Sequence, residues 1–295
     1  GGSRMALAPD GRSLAVGGAG RWALYDVDSW QAPRLSDTVR GTVKVVTFSH
    51  GGRRLLVGTD MEDATDVQLW DLGMSKQIAS LRFESSRPTA AAFSPDDAMI
   101  ATLTQTAHLQ FWRADDGSPI TPPIDVQAGL KEGYGVRGFE VIFSPDGRKV
   151  YAGAYNGFVT IWNAGATNRV GLLDHDMAPV FVTRTDRSGR HLVTGTSGGF
   201  AQIWDFGSDR VLSPQLHHDK AVSTADFSPD GRRLVTGGLD GLAQVWRVPD
   251  GHPIAVARGH TDMLSDSEFS PDGTRLVSTG RDTDMREPAW GPFGR

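Results

Sequence analysis

Three residues in the last third of the chain are of types that could carry out nucleophilic catalysis. His218 could act as a base, Thr236 could supply a hydroxyl nucleophile, and Asp240 could orient the imidazole. Trp246 follows shortly after them and adds an indole donor. Such a set works only if its members converge on a pocket, so its meaning depends on the elements that carry them.

Three other stretches contain metal-ligating residue types. His217-His218-Asp219 and His175-Asp176 combine imidazoles with carboxylates, and TDMEDATD at 59–66 groups four carboxylates. The acidic stretch lacks the glycine and the terminal glutamate of an EF-hand loop, so we interpret it as a solvated loop. We predict no catalytic residue, no cofactor and no metal site.

Composition excludes several classes of function. The net charge of −5 opposes binding to a phosphate backbone as the main activity. The sequence has no cysteine, so disulfides, thiol catalysis and cysteine-based metal sites are excluded. No apolar run is long enough to span a bilayer. We expect a cytoplasmic protein that binds neither nucleic acid nor membrane.

The elements that carry these residues recur along the chain. Each repeat opens one residue before the sequence Ser-Pro-Asp-Gly or a variant of it, and closes on an aromatic residue. The opening residues are Leu7, Phe48, Phe93, Phe143, Thr185, Phe227 and Phe269, and the closing residues are Tyr25, Trp70, Trp112, Trp162, Trp204, Trp246 and Trp290. Successive openings from Phe143 onward are 42 residues apart. This regularity predicts seven repeats.

Each repeat contains four short apolar runs that are typical of antiparallel strands. In the sixth repeat VSTADF (222–227), RRLVTGG (232–238) and LAQVW (242–246) are separated by Asp-Gly turns, and PIAVARG (253–259) is a weaker fourth run. Four strands of this length have too little core to fold alone. Stacking the repeats around an axis would bury both faces of each sheet.

The repeat resembles that of the WD40 family, whose signature is a Gly-His pair followed by strands that end in Trp-Asp. Trp70-Asp71 and Trp204-Asp205 match the closing dipeptide, and Gly259-His260 matches the opening one. The resemblance implies an all-β, seven-bladed WD40-type β-propeller with four-stranded antiparallel blades, over residues 1–295 as a single domain. We expect the repeats to begin near residues 4, 43, 88, 137, 179, 221 and 263.

The resemblance also changes the interpretation of the catalytic-looking set. In WD40 proteins the positions that correspond to His218, Thr236, Asp240 and Trp246 form a buried hydrogen-bonded network that holds one blade together. We therefore expect a structural role for these four residues. Repeats 4 and 5 carry Asn156 and Gly198 at the position of the acid, so we expect those blades to be less firmly tied.

Function is expected where the repeat is interrupted. Extra residues occur within 59–66 and again between Trp112 and Phe143, including AGLKEGYGV at 128–136. The resemblance implies that both insertions lie on the top face of the propeller. We predict that this face binds a protein or peptide partner through Arg87, Lys131, Tyr134, Arg137, Tyr155, Met177, Phe181, Leu239 and Met263.

The repeat pattern also breaks after Asp282. The sequence TDMREPAWGPFGR contains Pro288, which opposes a regular strand. We expect residues 283–295 to form an irregular tail and the seventh blade to be incomplete, with the missing strand supplied by flanking sequence or by a partner. Richness in FSPDG units resembles bacterial WD40 arrays, so we expect a fragment of a longer bacterial signalling protein.

Three classes of function follow from these observations. The first is a non-catalytic interaction scaffold or sensor module. The second is a hydrolase or lyase with its site in the axial channel, which would need converging histidines, acids or metal ligands on the inner strands. The first-strand positions expected to face the channel include one acid and no histidine, which favours the first class. They are Val45, Ala90, Glu140, Val180, Ser223 and Ser265. The third is a purely structural subunit with a permanent partner.

Overall fold

A computed structural model describes residues 4–29, 32–59, 66–83, 86–130, 138–176 and 178–281. All elements of regular secondary structure in this part of the chain are β-strands, so the all-β prediction is confirmed. None of the described segments forms a helix that could cross a lipid bilayer.

The described residues form 26 strands. The first thirteen are β1 (Arg4–Leu7), β2 (Ser13–Gly17), β3 (Ala19–Asp26), β4 (Leu35–Phe48), β5 (Arg54–Thr59), β6 (Asp66–Asp71), β7 (Lys76–Arg82), β8 (Pro88–Phe93), β9 (Met99–Thr104), β10 (His108–Arg113), β11 (Ile124–Asp125), β12 (Gly138–Phe143) and β13 (Lys149–Ala154). The others are β14 (Phe158–Asn163), β15 (Arg169–Asp174), β16 (Val180–Thr185), β17 (His191–Thr196), β18 (Phe200–Asp205), β19 (Arg210–Val211), β20 (Leu216–His217), β21 (Val222–Phe227), β22 (Arg233–Gly238), β23 (Ala243–Arg247), β24 (Pro253–Ala257), β25 (Leu264–Phe269) and β26 (Leu276–Gly280).

The strands form sheets that follow the repeat. Strands β8–β11, β12–β15 and β21–β24 make four-stranded sheets, and β16–β19 make a fourth, with β20 added on β18. Strand β4 serves two repeats, because Leu35 pairs with β3 while Val43–Phe48 pair with β5. The first two repeats therefore share one seven-stranded sheet. Four-stranded antiparallel blades are thus present, and the count of seven stays a prediction.

The chain divides into two compact units. Unit 1 comprises Gly1–Leu130, Val136–Ala152 and Thr160–Val170, and unit 2 comprises Lys131–Gly135, Gly153–Val159 and Gly171–Arg295. Residues 138–174 supply strands to both units. That the chain is a single domain stays a prediction.

Within each unit the opening residue and the closing tryptophan of one repeat pack against the preceding repeat. In unit 1, Phe93 and Trp112 of repeat 3 share a core cluster with Leu69 of repeat 2. In unit 2, Phe227 and Trp246 of repeat 6 are clustered in the same way with residues of repeat 5. The side chains buried at the closing position are Trp70, Trp112, Trp162, Trp204 and Trp246. Burial of each stabilises the fold by several kcal/mol, at about 25 cal/mol per Å² over about 150–250 Å².

Each polar residue of the Ser-Pro-Asp-Gly turn between the first and second strands has a structural role. In repeat 6 the Ser228 hydroxyl donates to Asp230 Oδ1 at 2.6 Å and accepts the N–H of Arg233 at 2.9 Å. Gly231 has a φ of 66°, a conformation that favours glycine. The same serine-to-aspartate bond recurs from Ser94, Ser144 and Ser270.

Repeat 3 places an aspartate where the other turns have glycine. Asp97 has a φ of 57°, which is strained for a residue with a Cβ atom. Its carboxylate accepts the N–H groups of His50 and Gly51, both at 2.7 Å. These charge-assisted bonds tie the turn of repeat 3 to the turn of repeat 2 and offset the strain.

The fourth strands of repeats 3 and 5 are broken, and a hydroxyl side chain replaces part of the ladder. In repeat 3 the N–H of Phe111 donates to Thr121 Oγ1 at 3.2 Å, and Gln110 Nε2 donates to the Thr121 carbonyl at 3.0 Å. In repeat 5, Ser213 accepts the equivalent pair of bonds from Gln202 and Ile203, both at 3.0 Å. A proline follows both hydroxyl residues.

The seventh repeat is described only over β25 and β26, which form a two-stranded sheet. The predicted irregular tail, with Pro288 and Trp290, lies outside the described residues. An incomplete or irregular seventh blade therefore stays a prediction.

Asp97→Ala should destabilise the protein by about 1–3 kcal/mol, because two N–H groups lose a charged acceptor and alanine keeps the strained backbone. Asp97→Gly loses the same bonds but removes the strain, so its stability should lie between alanine and wild type. Urea denaturation of the three proteins checks the order. An alanine variant as stable as wild type would contradict the role given to the Asp97 carboxylate.

Candidate functional site

The structure brings His218, Thr236, Asp240 and Trp246 together. The Thr236 hydroxyl accepts the indole N–H of Trp246 at 2.8 Å and lies 2.8 Å from His218 Nε2. His218 Nδ1 lies 3.1 Å from Asp240 Oδ2. Because a carboxylate only accepts, Nδ1 carries the proton and Nε2 accepts the hydroxyl proton of Thr236. The hydroxyl thus has its donor and its acceptor inside the protein.

Repeat 5 contains the same arrangement without the acid. His175 Nε2 lies 2.8 Å from the Thr194 hydroxyl, which also accepts the indole N–H of Trp204 at 2.8 Å. At the position of the acid stands Gly198, and His175 Nδ1 instead lies 3.2 Å from the carbonyl oxygen of Gly157. A neutral carbonyl therefore takes the place of the carboxylate.

Other repeats bind the closing tryptophan through simpler contacts. The indole N–H of Trp112 donates to Thr102 at 2.8 Å and that of Trp162 donates to Thr160 at 2.9 Å. In repeat 2 the acceptor is the amide oxygen of Gln68. The constant feature is an acceptor for the buried indole N–H, as expected for a polar group that is costly to bury unpaired.

Burial keeps both histidines neutral. His175 is 2% exposed, and loss of solvation lowers its pKa to about 4. Loss of solvation also lowers the pKa of His218, although the Asp240 carboxylate opposes this change. In each histidine both ring nitrogens are hydrogen-bonded within the protein. Neither histidine therefore has a ring nitrogen available to accept a proton from a substrate.

A second set of hydroxyl, histidine and aspartate side chains, which the sequence analysis missed, occurs in the first turn of repeat 5. Asp186 Oδ2 accepts the Ser188 hydroxyl at 2.8 Å and lies 2.9 Å from His191 Nδ1. Burial alone would raise the pKa of Asp186, but these bonds and two from backbone N–H groups outweigh it, so the pKa is lowered. The aspartate lies between the other two residues, whereas a catalytic triad places histidine there. The set is a variant of the Ser-Pro-Asp-Gly turn with serine and aspartate exchanged.

First strands β21 and β25 carry carboxyl groups that the sequence analysis did not single out. Partial loss of solvation raises the pKa of the half-buried Asp226. The Glu268 side chain is exposed, and partial loss of solvation together with the neighbouring carboxylates of Asp266 and Asp226 raises its pKa. Asp226 Oδ2 accepts the N–H of Phe269 at 3.0 Å, and Asp266 accepts the Thr224 hydroxyl at 3.1 Å. The acidic residues in TADF and SDSEF were the available signal. These are the groups that the enzyme alternative would have to use.

No cluster of three or more metal-ligating side chains occurs among the described residues. His218 and His175 are committed to Thr236 and Thr194, which removes them as ligands. Most of the acidic stretch at 59–66 lies outside the described residues.

The described members of the predicted binding surface lie at one edge of their sheets. In repeat 6 the N–H of Leu239 donates to the carbonyl of Ala221, so the second turn adjoins the start of the first strand. Met263 and Arg87 occupy the equivalent position in their own sheets, in repeats 7 and 3, since their carbonyls accept from the N–H groups of Arg281 and Gln105 respectively. All three predicted residues are half-buried.

Tyr155 and Phe181 are the two predicted residues that the structure brings into contact. Tyr155 lies in the second turn of repeat 4 and Phe181 near the start of β16, and both belong to unit 2. Their ring centroids are 6.2 Å apart with the planes tilted by 44°, and both side chains are half-buried. They form an aromatic pair with access to solvent. The predicted residues Lys131, Tyr134, Arg137 and Met177 lie outside the described residues.

Comparison with known families finds a match for three segments of the chain. Residues 131–163, 210–247 and 251–286 match the family model described as WD domain, G-beta repeat. These segments include the His218 network and the aromatic residue Tyr155. A search of curated proteins gives no match.

Because burial lowers the pKa of His175 to about 4 from an ordinary 6.5, the unfolded chain takes up a proton first as the pH falls. Stability is therefore complete above pH 6.5 and is lost between pH 6.5 and 4, by about 2 kcal/mol at pH 5 from this residue alone. Urea denaturation at pH 7 and pH 5 measures the loss. Gly198→Asp places an acid at the position that Asp240 holds in repeat 6. This variant should lose less stability between pH 7 and pH 5, because a nearby carboxylate favours the protonated imidazole. Equal stability at both pH values would contradict this account.

Proposed function

We propose that this chain, a WD40-repeat protein, is a non-catalytic platform that binds a protein or peptide partner through the sheet edge that carries Tyr155 and Phe181. WD40 repeats in general serve as protein-interaction scaffolds. The observation that carries the proposal for this chain is the aromatic pair itself. Its two rings are half-buried at an edge where the second turns and the first strands meet.

The physical properties of the pair suit a binding contact. Tyrosine and phenylalanine supply large apolar areas with few rotatable bonds, so fixing them on binding costs little entropy. The scaffold around them is held by buried hydrogen bonds, such as that from Trp204 to Thr194. A rigid support reduces the ordering that binding requires.

The sequence also departs from its period between repeats 3 and 4. The insertion at 128–136 begins after β11, and its first residues are held by a hydrogen bond from Arg169 Nη1 to the carbonyl of Ala128 at 3.3 Å. The segment with Lys131 and Tyr134 lies outside the described residues, and its part in binding is proposed from sequence alone. A shared top face, a sensor role in a longer bacterial signalling protein and a cytoplasmic location stay predictions.

An enzymatic function is the second candidate, since Asp226 and Glu268 have raised pKa values on the first strands of repeats 6 and 7. Raised carboxyl pKa values are common at catalytic sites, but burial in a structural setting produces them too. WD40-repeat proteins are generally non-catalytic. A hydrolase screen of wild type and Asp226→Asn separates the two functions, because a binding platform should show no hydrolase activity in either protein.

The double substitution Tyr155→Ala with Phe181→Ala should reduce partner capture at least about tenfold, as loss of aromatic anchors does at other interfaces. The measurement is quantitative pull-down from native lysate with the bound proteins identified by mass spectrometry. Leu172→Ala is the matched control, because Leu172 is an exposed apolar residue on the fourth strand of repeat 4. Deletion of residues 128–135 tests the insertion separately.

Circular dichroism must show that each variant keeps its fold. Loss of a partner in the double variant, with capture unchanged in Leu172→Ala, is the expected result. The same partners on all variants would contradict binding at this edge.

A further inference from the structure

The link that leads into repeat 5 lies beside the aromatic pair of Tyr155 and Phe181. The N–H of His175 donates to the carbonyl of Gly157 at 3.0 Å, and Gly157 belongs to the same turn as Tyr155. Phe181 is the second residue of β16, the strand that this link enters. All of these residues belong to unit 2. Residues 174–176 therefore border the surface that carries the two rings.

This link carries two acidic side chains. Asp174 ends β15 and Asp176 follows His175, and both acids are exposed. Asp174 Oδ1 accepts the N–H of Asp176 at 3.0 Å. Asp176 has a φ of 50°, which is uncommon for a residue with a Cβ atom. The hydrogen bond holds the two acids on one short turn, so a ligand that pairs with them has little chain to order.

The negative charge of this link has no basic neighbour in the segments that form it. The imidazole between the two acids is neutral, because burial lowers the pKa of His175 to about 4. In the described part of the chain neither Asp174 nor Asp176 forms an ion pair. The sequence contains no lysine or arginine over 153–159 or 171–183. Two carboxylates therefore stand beside the aromatic pair without a cation from either segment.

The equivalent link of repeat 6 lacks this combination. Asp219 occupies the position of Asp176, but Lys220 comes next and offsets its charge. The two ring positions hold Leu239 and Ser223 instead of aromatic residues. Repeat 5 thus differs from repeat 6 in having uncompensated acids and aromatic rings at the same place.

This combination suits a basic side chain. Arginine and lysine have a long aliphatic stem that packs on aromatic surface, and a cationic head that both aromatic faces and carboxylates attract. A hydrogen bond between ionised partners is roughly twice as strong as one between neutral groups. An acidic ligand would instead meet two like charges. The charge and the rings together therefore favour a cationic ligand over an anionic one.

We propose that this surface of unit 2 binds a basic segment of a partner protein. The stem of an arginine or lysine of the segment lies against Tyr155 and Phe181, and its head group pairs with Asp174 or Asp176. The proposal rests on the protein-binding function proposed above and specifies the partner of that site. It requires both the rings and the carboxylates.

The test selects a random heptapeptide library, displayed on phage, on the whole chain. The expected result is enrichment of peptides that contain arginine or lysine. An enriched peptide, synthesised with a fluorescent label, should bind Asp174→Asn with Asp176→Asn at least about tenfold more weakly than wild type, because its charged acceptors are lost. Replacing the basic residue of the peptide by glutamine should weaken binding to wild type similarly and should add little on the double variant.

A matched control separates this site from the net charge of the chain. Asp176→Asn alone should weaken peptide binding, whereas Asp219→Asn, which removes an exposed acid from the equivalent link of repeat 6, should bind as tightly as wild type. Asparagine keeps the shape of aspartate and tolerates a positive φ, so the fold should survive each substitution. Circular dichroism checks that it does.

The proposal is overturned by enriched peptides without basic residues, by equal losses in Asp176→Asn and Asp219→Asn, or by a peptide that binds the double asparagine variant as tightly as wild type. If that last peptide is lost on Tyr155→Ala with Phe181→Ala, the rings bind without the carboxylates and the platform function stands. A peptide that the alanine variant still binds overturns the shared site. Absence of enriched peptides also overturns it, and lysate capture by wild type and the alanine variant then decides the platform function separately.

Discussion

The fold of repeats 5 and 6 depends on one buried hydroxyl in each. The Thr194 and Thr236 hydroxyls accept the indole N–H of the closing tryptophan and contact the histidine that precedes the first strand. Each hydroxyl thus connects the second strand, the third strand and the segment that leads into the repeat. Because an unpaired buried polar group costs about 1–3 kcal/mol, the three groups are stable only as a complete set.

This constraint determines which residues remain for function. Histidine, threonine and aspartate at the repeated positions have their hydrogen-bonding capacity used inside the sheets, so they cannot also serve a substrate. The proposed binding therefore relies on positions where repeats differ, such as the pair of Tyr155 and Phe181.

Strand positions were the most predictable feature, because alternating apolar residues and Asp-Gly turns determine them locally. VSTADF corresponds to β21 without a shift, and the next two runs match β22 and β23 to within a residue. The broken fourth strand of repeat 3 was not predicted, since the Thr121 side chain replaces ladder bonds that only the folded chain reveals. Neither the contact of Tyr155 with Phe181 nor the partial burial of Asp226 could be predicted, because both depend on packing between different sheets.

The most direct test of this account is amide hydrogen exchange of Thr236→Val compared with wild type. Valine keeps the shape of threonine but leaves the indole N–H of Trp246 and His218 Nε2 buried without their shared partner. Exchange in β21–β23 should become at least about tenfold faster, while Thr47→Val, at a strand position where no hydrogen bond of the hydroxyl is seen in the described structure, should match wild type. Unchanged protection in Thr236→Val would contradict the claim that these polar residues serve the fold.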